Sequence, residues 1–164
     1  EFEWEDAARD LAPNSGHDVG RDALQPMPAT DDLGLQQMFG DVWDWAGTYR
    51  LTEKNIGIDP HRIANDTGMM FDDVRYWVAH NTYPADELAV RLHHRLVAIH
   101  PFPNGNGRHA RLMADLLVER LGGESFTWGS GTLGNVGELR DTYIAVLQAA
   151  DNHDITLLLQ FARS

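Results

Sequence analysis

Two stretches with helical periodicity, joined by a short loop rich in proline and glycine, constrain the fold more than any other feature of the chain. Apolar residues recur at helical spacing over 85–99 and again over 107–121. Pro101 ends the first stretch, and the glycine pair at 122–123 ends the second. The sequence between them, "HPFPNGNGRHAR", therefore lies at the junction of two buried helices.

The same periodicity predicts an all-α domain, a helical bundle with one short β-hairpin. Further helices are predicted over 33–45, 66–80, 137–150 and about 154–162. The hairpin is predicted in "WAGTYRLTEKNIGIDPHRI", where Tyr49 and Leu51 alternate with Arg50, and it is predicted to end at Pro60. Residues 1–32 are predicted to be an irregular N-terminal segment with a short helix, and residues 33–164 to form the domain.

The composition narrows the class of protein. The formal net charge of −12 disfavours binding to a nucleic-acid backbone, and no apolar run approaches the roughly 18 residues that cross a membrane. The chain has no cysteine, which excludes disulfides and thiolate zinc sites and suits a reducing compartment. We therefore expect a cytoplasmic protein that binds neither nucleic acid nor membrane.

The loop combines a base, a flexible backbone and two cations. Gly105 and Gly107 allow close approach of a ligand, and the start of the following helix supplies free amides and a favourable dipole for an anion. Arg108 and Arg111 lie three residues apart, on one face of that helix, where cations are unfavourable unless an anion binds there. His100 can act as a general base, since histidine side chains ordinarily titrate near neutral pH. Together these residues predict a phosphate-binding site.

Each feature also has a purely structural explanation. Glycine pairs are common in turns, and two arginines at this spacing often form a solvated face. The loop is not a P-loop, because the Gly-Lys-Ser/Thr ending is absent. A metal site built by His93, His94, His100 and His109 is an alternative, but adjacent histidines face different sides of a helix.

The loop resembles the motif of the Fic family, His-Pro-Phe-x-Asp/Glu-Gly-Asn-Gly-Arg-x-x-Arg, at eight of its nine defined positions. "WAGTYR" with "NIG" resembles the hairpin that this family calls the flap, and "TYIAVLQAADNHDITLLLQFA" resembles its closing helices. The resemblance covers roughly residues 35–163, and "MFGDVWDWAGTYR", "KNIGIDPHRI" and "HPFPNGNGRHARLMADLL" resemble the bacterial subgroup called mobile mystery protein B. It implies a Fic-like catalytic domain over 33–164.

The resemblance implies transfer of AMP from ATP to a serine, threonine or tyrosine hydroxyl of a target protein. His100 would then be the general base, and the anion loop of Gly105, Asn106 and Gly107 would hold the phosphates. Arg108 and Arg111 would grip the far phosphates, and Tyr143 would line the base pocket. The flap residues Asn55, Ile56, Gly57 and Ile58 would pair with the target backbone as an added strand.

One position departs from the family pattern. The acidic residue that binds Mg²⁺ in the family is Asn104 here, and Mg²⁺ prefers carboxylates. Alternatives therefore stay open: a degenerate Fic fold that binds a nucleotide or partner without turnover, or transfer of a different phosphate-containing group. Phosphoryl transfer, as in the related Doc toxins, is one such reaction, although those toxins carry lysine where Gly107 stands.

The inhibitory motif of many Fic proteins, Ser/Thr-x-x-x-Glu-Gly/Asn, is absent, because no glutamate here is followed by glycine or asparagine. The resemblance then implies inhibition by a separate antitoxin, by a segment outside this sequence, or regulation of another kind.

Overall fold

The computed structural model describes residues 48–131 and 136–164. In these ranges the chain forms five α-helices after one 3₁₀ turn at Pro60–Arg62. The helices are α1 (Ile63–His80), α2 (Ala85–Ile99), α3 (Asn106–Arg120), α4 (Val136–Asp151) and α5 (Thr156–Arg163). They confirm the five helices predicted from residue 66 onward. The predicted segment 1–32 and helix 33–45 lie outside the described residues.

Helix α2 is the central element of the described fold. It packs against α1 and α5 and most extensively against α3, while α4 packs against α5. Its buried face is continuous, because residues three and four apart share one side of a helix. Five apolar side chains on it are at most 2% exposed: Leu88, Ala89, Val90, Leu92 and Leu96. The buried face of α2 therefore holds the helix in the core up to the loop that follows.

Helix α3 ends as its sequence predicts. Gly122 adopts a left-handed conformation with φ of 86°, and the amide of Gly123 donates to the carbonyl of Val118 at 2.9 Å. This pattern satisfies carbonyl groups that a helix end would otherwise leave unpaired. The glycine pair thus fixes the length of the helix that carries both arginines of the motif.

The described residues contain no β-strand, so the predicted hairpin is not observed in its described part, residues 48–59. The backbone amides of this segment bond elsewhere: Arg50 donates to the carbonyl of Pro101 at 2.9 Å, and Ile58 to that of Ile99 at 3.3 Å. The alternation that predicted a strand is also reversed, because Arg50 is 2% exposed and Leu51 is 88% exposed. The segment is tied to the end of α2 rather than paired with itself.

Within the described ranges, no helix has both the length and the apolar character needed to cross a membrane.

Candidate active site

The loop between α2 and α3 begins at His100, which ends α2 in a left-handed conformation with φ of 53° and ψ of 61°. Its amide still donates to the carbonyl of Leu96 at 3.0 Å, so the residue is held by the helix while the chain turns away. Few residues other than glycine adopt this conformation, because the side chain crowds the backbone. Such strained residues are concentrated at functional sites. The His100 side chain is largely buried.

Phe102 and Asn106 lock the loop. The Phe102 side chain is fully buried in the core. The Asn106 side-chain oxygen accepts the Phe102 amide at 2.8 Å, and its nitrogen donates to the Phe102 carbonyl at 2.9 Å. The Asn106 side chain is therefore committed to the loop backbone, and only its own amide is left to face a ligand.

The start of α3 provides the anion-binding geometry that the sequence predicts. Gly105 caps the helix with φ of 75°, and its carbonyl accepts the first helical hydrogen bond, from His109, at 3.0 Å. The amides of Asn106, Gly107 and Arg108 precede that bond, and in an α-helix such amides have no intrahelical acceptor. Helix amides in this position, together with the helix dipole, bind phosphate groups.

Arg111 lies beneath this start. Its side chain is 8% exposed, and a side chain at Gly107 would begin 4.0 Å from its Nη1 atom, so the guanidinium folds back toward the first turn of α3. Among residues 48–131 and 136–164, no carboxylate lies within ion-pair distance of it. A buried cation without an ion-pair partner is costly, and a bound anion would reduce that cost. Arg108, one turn earlier, is partly buried.

Tyr143 and His93 form the floor of the site. The Tyr143 hydroxyl lies 3.0 Å from His93 Nε2, and the Arg111 guanidinium carbon lies 5.9 Å from the Tyr143 ring centre. Burial raises the pKa of Tyr143 to about 12, and the nearby charge and hydrogen bond of Arg111 act against that rise. Burial, helped by the positive charge of Arg111, lowers the pKa of His93 well below its ordinary value of 6.5. The floor therefore consists of a neutral phenol and a neutral imidazole, which support Arg111 without neutralising it.

The predicted flap residues lie beside His100. Asn55 is exposed, while Ile56 and Ile58 are partly buried. Gly57 has φ of 95°, and a Cβ atom added to it would lie 2.6 Å from the Cβ of His100. Only glycine allows this approach.

The protein donors do not fit a magnesium ion held at Asn104. The Asn104 side-chain oxygen already accepts the Gly105 amide at 2.6 Å. Three or more histidine or acidic side chains do not gather into a metal-binding cluster anywhere in the described part of the chain. His93 and His94 diverge: the first is in the core, and the second bonds to Asp151 on the surface at 2.8 Å.

The fold thus places the predicted site residues on two adjoining surfaces. Gly107, Arg111 and Tyr143 meet at the start of α3, and the segment around Gly57 meets His100. Arg50 was not predicted as a site residue, and His93 was named only in the alternative of a histidine metal site. Arg50 lies between Tyr49 and Leu51, and this position is only a weak signal of burial. The residues around His93 do not indicate that it bonds to Tyr143, 50 residues away.

Comparison with known proteins identifies related chains. The family model described as "Fic/DOC family" matches residues 34–118, about half of the chain. The protein adenylyltransferase Fic of Drosophila grimshawi is 30% identical over 80 residues, covering 46% of this chain and 16% of that protein. A uridine 5'-monophosphate transferase of Xanthomonas campestris is 53% identical over 36 residues, which is 22% of this chain and 7% of that protein.

The solved structure of Fic-1 (residues 134–508) from C. elegans superposes with a TM-score of 0.63 and 26% identity. The superposition covers 81% of this chain and 38% of that one. The chain thus spans well under half the length of each of these relatives.

Proposed function

The chain is a member of the Fic/DOC family, and we propose that it transfers AMP from ATP to a hydroxyl group of a target protein. The relatives named protein adenylyltransferase support this reaction class. Residues 33–164 would form the catalytic domain.

In the proposed reaction, the oxygen of a serine, threonine or tyrosine side chain attacks the α-phosphorus of ATP. The bond from that phosphorus to the bridging oxygen breaks, and pyrophosphate leaves. His100 takes the hydroxyl proton as general base. Its position at the rigid end of α2 supports this role, since a base must be held within reach of the proton it removes.

The phosphates would bind at the start of α3, where the amides of Gly107 and Arg108 and the side chains of Arg108 and Arg111 supply donors and charge. The observation that carries the proposal is the burial of Arg111 without a carboxylate partner in the described residues. Tyr143 would act chiefly by supporting Arg111, and the segment of Asn55, Ile56, Gly57 and Ile58 would present the target backbone.

Transfer of radiolabel from ATP tests this proposal. ATP labelled at the α or the γ phosphate is incubated with the protein and a cell lysate, with and without Mg²⁺. Label from the α position alone, lost in His100→Ala and kept in His80→Ala, is expected. Label from the γ position alone would replace AMP transfer with phosphoryl transfer. The exposed His80 is the matched control, because it lies at the far end of α1.

A second candidate function is nucleotide binding without turnover. The observation that favours it is the engagement of the Asn104 side chain by the Gly105 amide, at the position that is acidic in the family pattern. This function predicts saturable ATP binding by the wild type, no transfer, and transfer gained in Asn104→Asp.

A different nucleotide donor is supported by the uridine 5'-monophosphate transferase, whose match to this chain is short but 53% identical. Offering UTP, GTP and CTP in the same labelling assay separates this donor choice from an inactive enzyme.

Regulation by a separate inhibitory antitoxin, a cytoplasmic location and membership of the mobile mystery protein B subgroup remain predictions. Co-purification of the tagged chain with an unlabelled partner from its native host would test the first.

A further inference from the structure

Arg50 is an arginine whose donors all go to backbone carbonyl groups. Its side chain is 2% exposed, and no carboxylate lies within ion-pair distance of it in the described ranges. Nε donates to the carbonyl of His100 at 2.7 Å, and Nη2 lies 3.5 Å from that of Ile99. Burying a guanidinium group is costly. Since this one bonds only to backbone carbonyl groups, we infer that the position of those carbonyl groups is important.

The same guanidinium holds the segment that lies over His100. Nη1 donates to the carbonyl of Thr52 at 2.9 Å, and Nη2 donates to the carbonyl of Ile58. The two ends of segment 52–58 are therefore bonded to one planar group. Because the fork of donors is rigid, the segment and the end of α2 are held at one separation.

Gly57 determines how closely segment 52–58 approaches the end of α2. A Cβ atom at this position would lie 2.6 Å from the His100 Cβ and 2.7 Å from the Arg50 Nη2. Any other residue would push the segment away from both. His100 has a left-handed conformation, which is disfavoured for a residue with a side chain, and its carbonyl accepts the bond from Arg50.

We infer that Arg50 is a positioning residue that fixes the His100 imidazole relative to segment 52–58, and so aligns an acceptor hydroxyl presented along that segment with the base. This inference rests on the proposed function for its catalytic part. Arg50 does not touch the nucleotide site at the start of α3, so its loss is expected to lower the rate of transfer and leave nucleotide binding intact.

Arg50→Lys tests the inference, because an ammonium group keeps the charge but cannot bond four carbonyls from one plane. We expect kcat to fall at least tenfold, with the KM for ATP and the stoichiometry of ATP binding within twofold of wild type. Gly57→Ala, which keeps the arginine at position 50, is expected to lower kcat in the same way and to leave ATP binding unchanged. The matched controls are Arg75→Lys, at an exposed arginine, and Gly68→Ala, where an added Cβ has no neighbour within 4 Å. Equal loss of kcat and binding stoichiometry would indicate general unfolding and overturn the inference.

Hydrogen exchange supplies a readout that does not depend on activity. In Arg50→Lys the amide of Ile58, bonded to Ile99, is expected to exchange at least tenfold faster, while amides within α3 stay unchanged. Unchanged exchange at Ile58 would overturn the inference, as would faster exchange with normal kcat. If the wild type transfers no nucleotide, the proposed function has failed. Faster exchange confined to segment 52–58 and His100 would then still support Arg50 as their positioning residue.

Discussion

At the scale of residues, three buried polar side chains around the site contact backbone groups or each other and form no ion pair within the described residues. Asn106 bonds the Phe102 backbone, Arg50 bonds carbonyl groups, and Arg111 lies against Tyr143. Carboxylates would compete with an anionic ligand for the arginines. Within the described residues no carboxylate forms an ion pair with Arg111, and this leaves most of its charge for a ligand.

Asn106→Ala is expected to destabilise the fold strongly, because it leaves both the amide and the carbonyl of Phe102 buried without their partner. Two such groups together cost about 3 kcal/mol of unfolding free energy. Urea denaturation measures this loss. Asn152→Ala, which removes an exposed bond to the Gln148 carbonyl, is the control, and it should change the unfolding free energy by less than about 0.5 kcal/mol. Equal effects of the two substitutions would contradict the structural role given to Asn106.

Arg111→Met is expected to stabilise the ligand-free protein. Methionine fills similar space, and the substitution removes a buried charge that forms no ion pair within the described residues, although Asp115 acts on it over a longer distance. Replacing buried ionic groups with apolar ones commonly gains about 1–4 kcal/mol. We expect the lower end, about 1 kcal/mol, because Tyr143 already solvates the guanidinium in part. A lower unfolding free energy in Arg111→Met, measured in urea without nucleotide, would show that the arginine serves the fold instead of a ligand.

At the scale of elements, α2 carries both the core and the site. Its buried face contains His93, which is fully buried and bonded to Tyr143 on α4. A buried imidazole resists protonation. Lowering the pH should therefore destabilise the packing of this helix before it affects the surface.

The free energy of unfolding should decrease as the pH is lowered, because of His93. Its pKa in the folded protein is depressed, so the unfolded chain takes up a proton near pH 6.5 while the folded chain does not. This contribution is fully present above pH 6.5 and is lost as pH falls toward the folded pKa, by up to about 1.4 kcal/mol per pH unit. His93→Gln lacks it. Urea denaturation from pH 7.5 to 5 should therefore show the advantage of wild type over His93→Gln shrinking, and a constant difference would refute this assignment.

The helices could be predicted from sequence because their signal is local. Apolar spacing marks their faces, and Pro84, Pro101 and the glycine pair at 122–123 mark their ends. The conformation of the segment before α1 could not be predicted. It depends on bonds from Arg50 to the distant carbonyl groups of Ile99, His100 and Pro101. Local alternation predicts a strand in that segment, and the distant carbonyl groups determine its observed course.

At the scale of the whole molecule, part of the site is one contiguous loop, and the other part is brought together by the packing of distant elements. The loop from His100 to Arg111 is contiguous, so its base, amides and arginines could be predicted together. Tyr143 and Gly57 were predicted only through the family resemblance, and the contacts of His93 and Arg50 were not predicted, because these residues reach the loop through the packing of α2, α4 and the segment before α1. Within the described residues, the two buried arginines, Arg50 and Arg111, both lie near the loop between α2 and α3.

Calorimetric titration of ATP into wild type, Arg111→Met and Arg120→Met, at one fixed ionic strength, tests the central claim that the start of α3 binds the phosphates. Arg120 is the control because it lies exposed at the other end of the same helix. We expect Kd to rise at least tenfold in Arg111→Met and to stay within twofold in Arg120→Met. Equal affinity of Arg111→Met and wild type, or no binding by the wild type, would contradict the phosphate site.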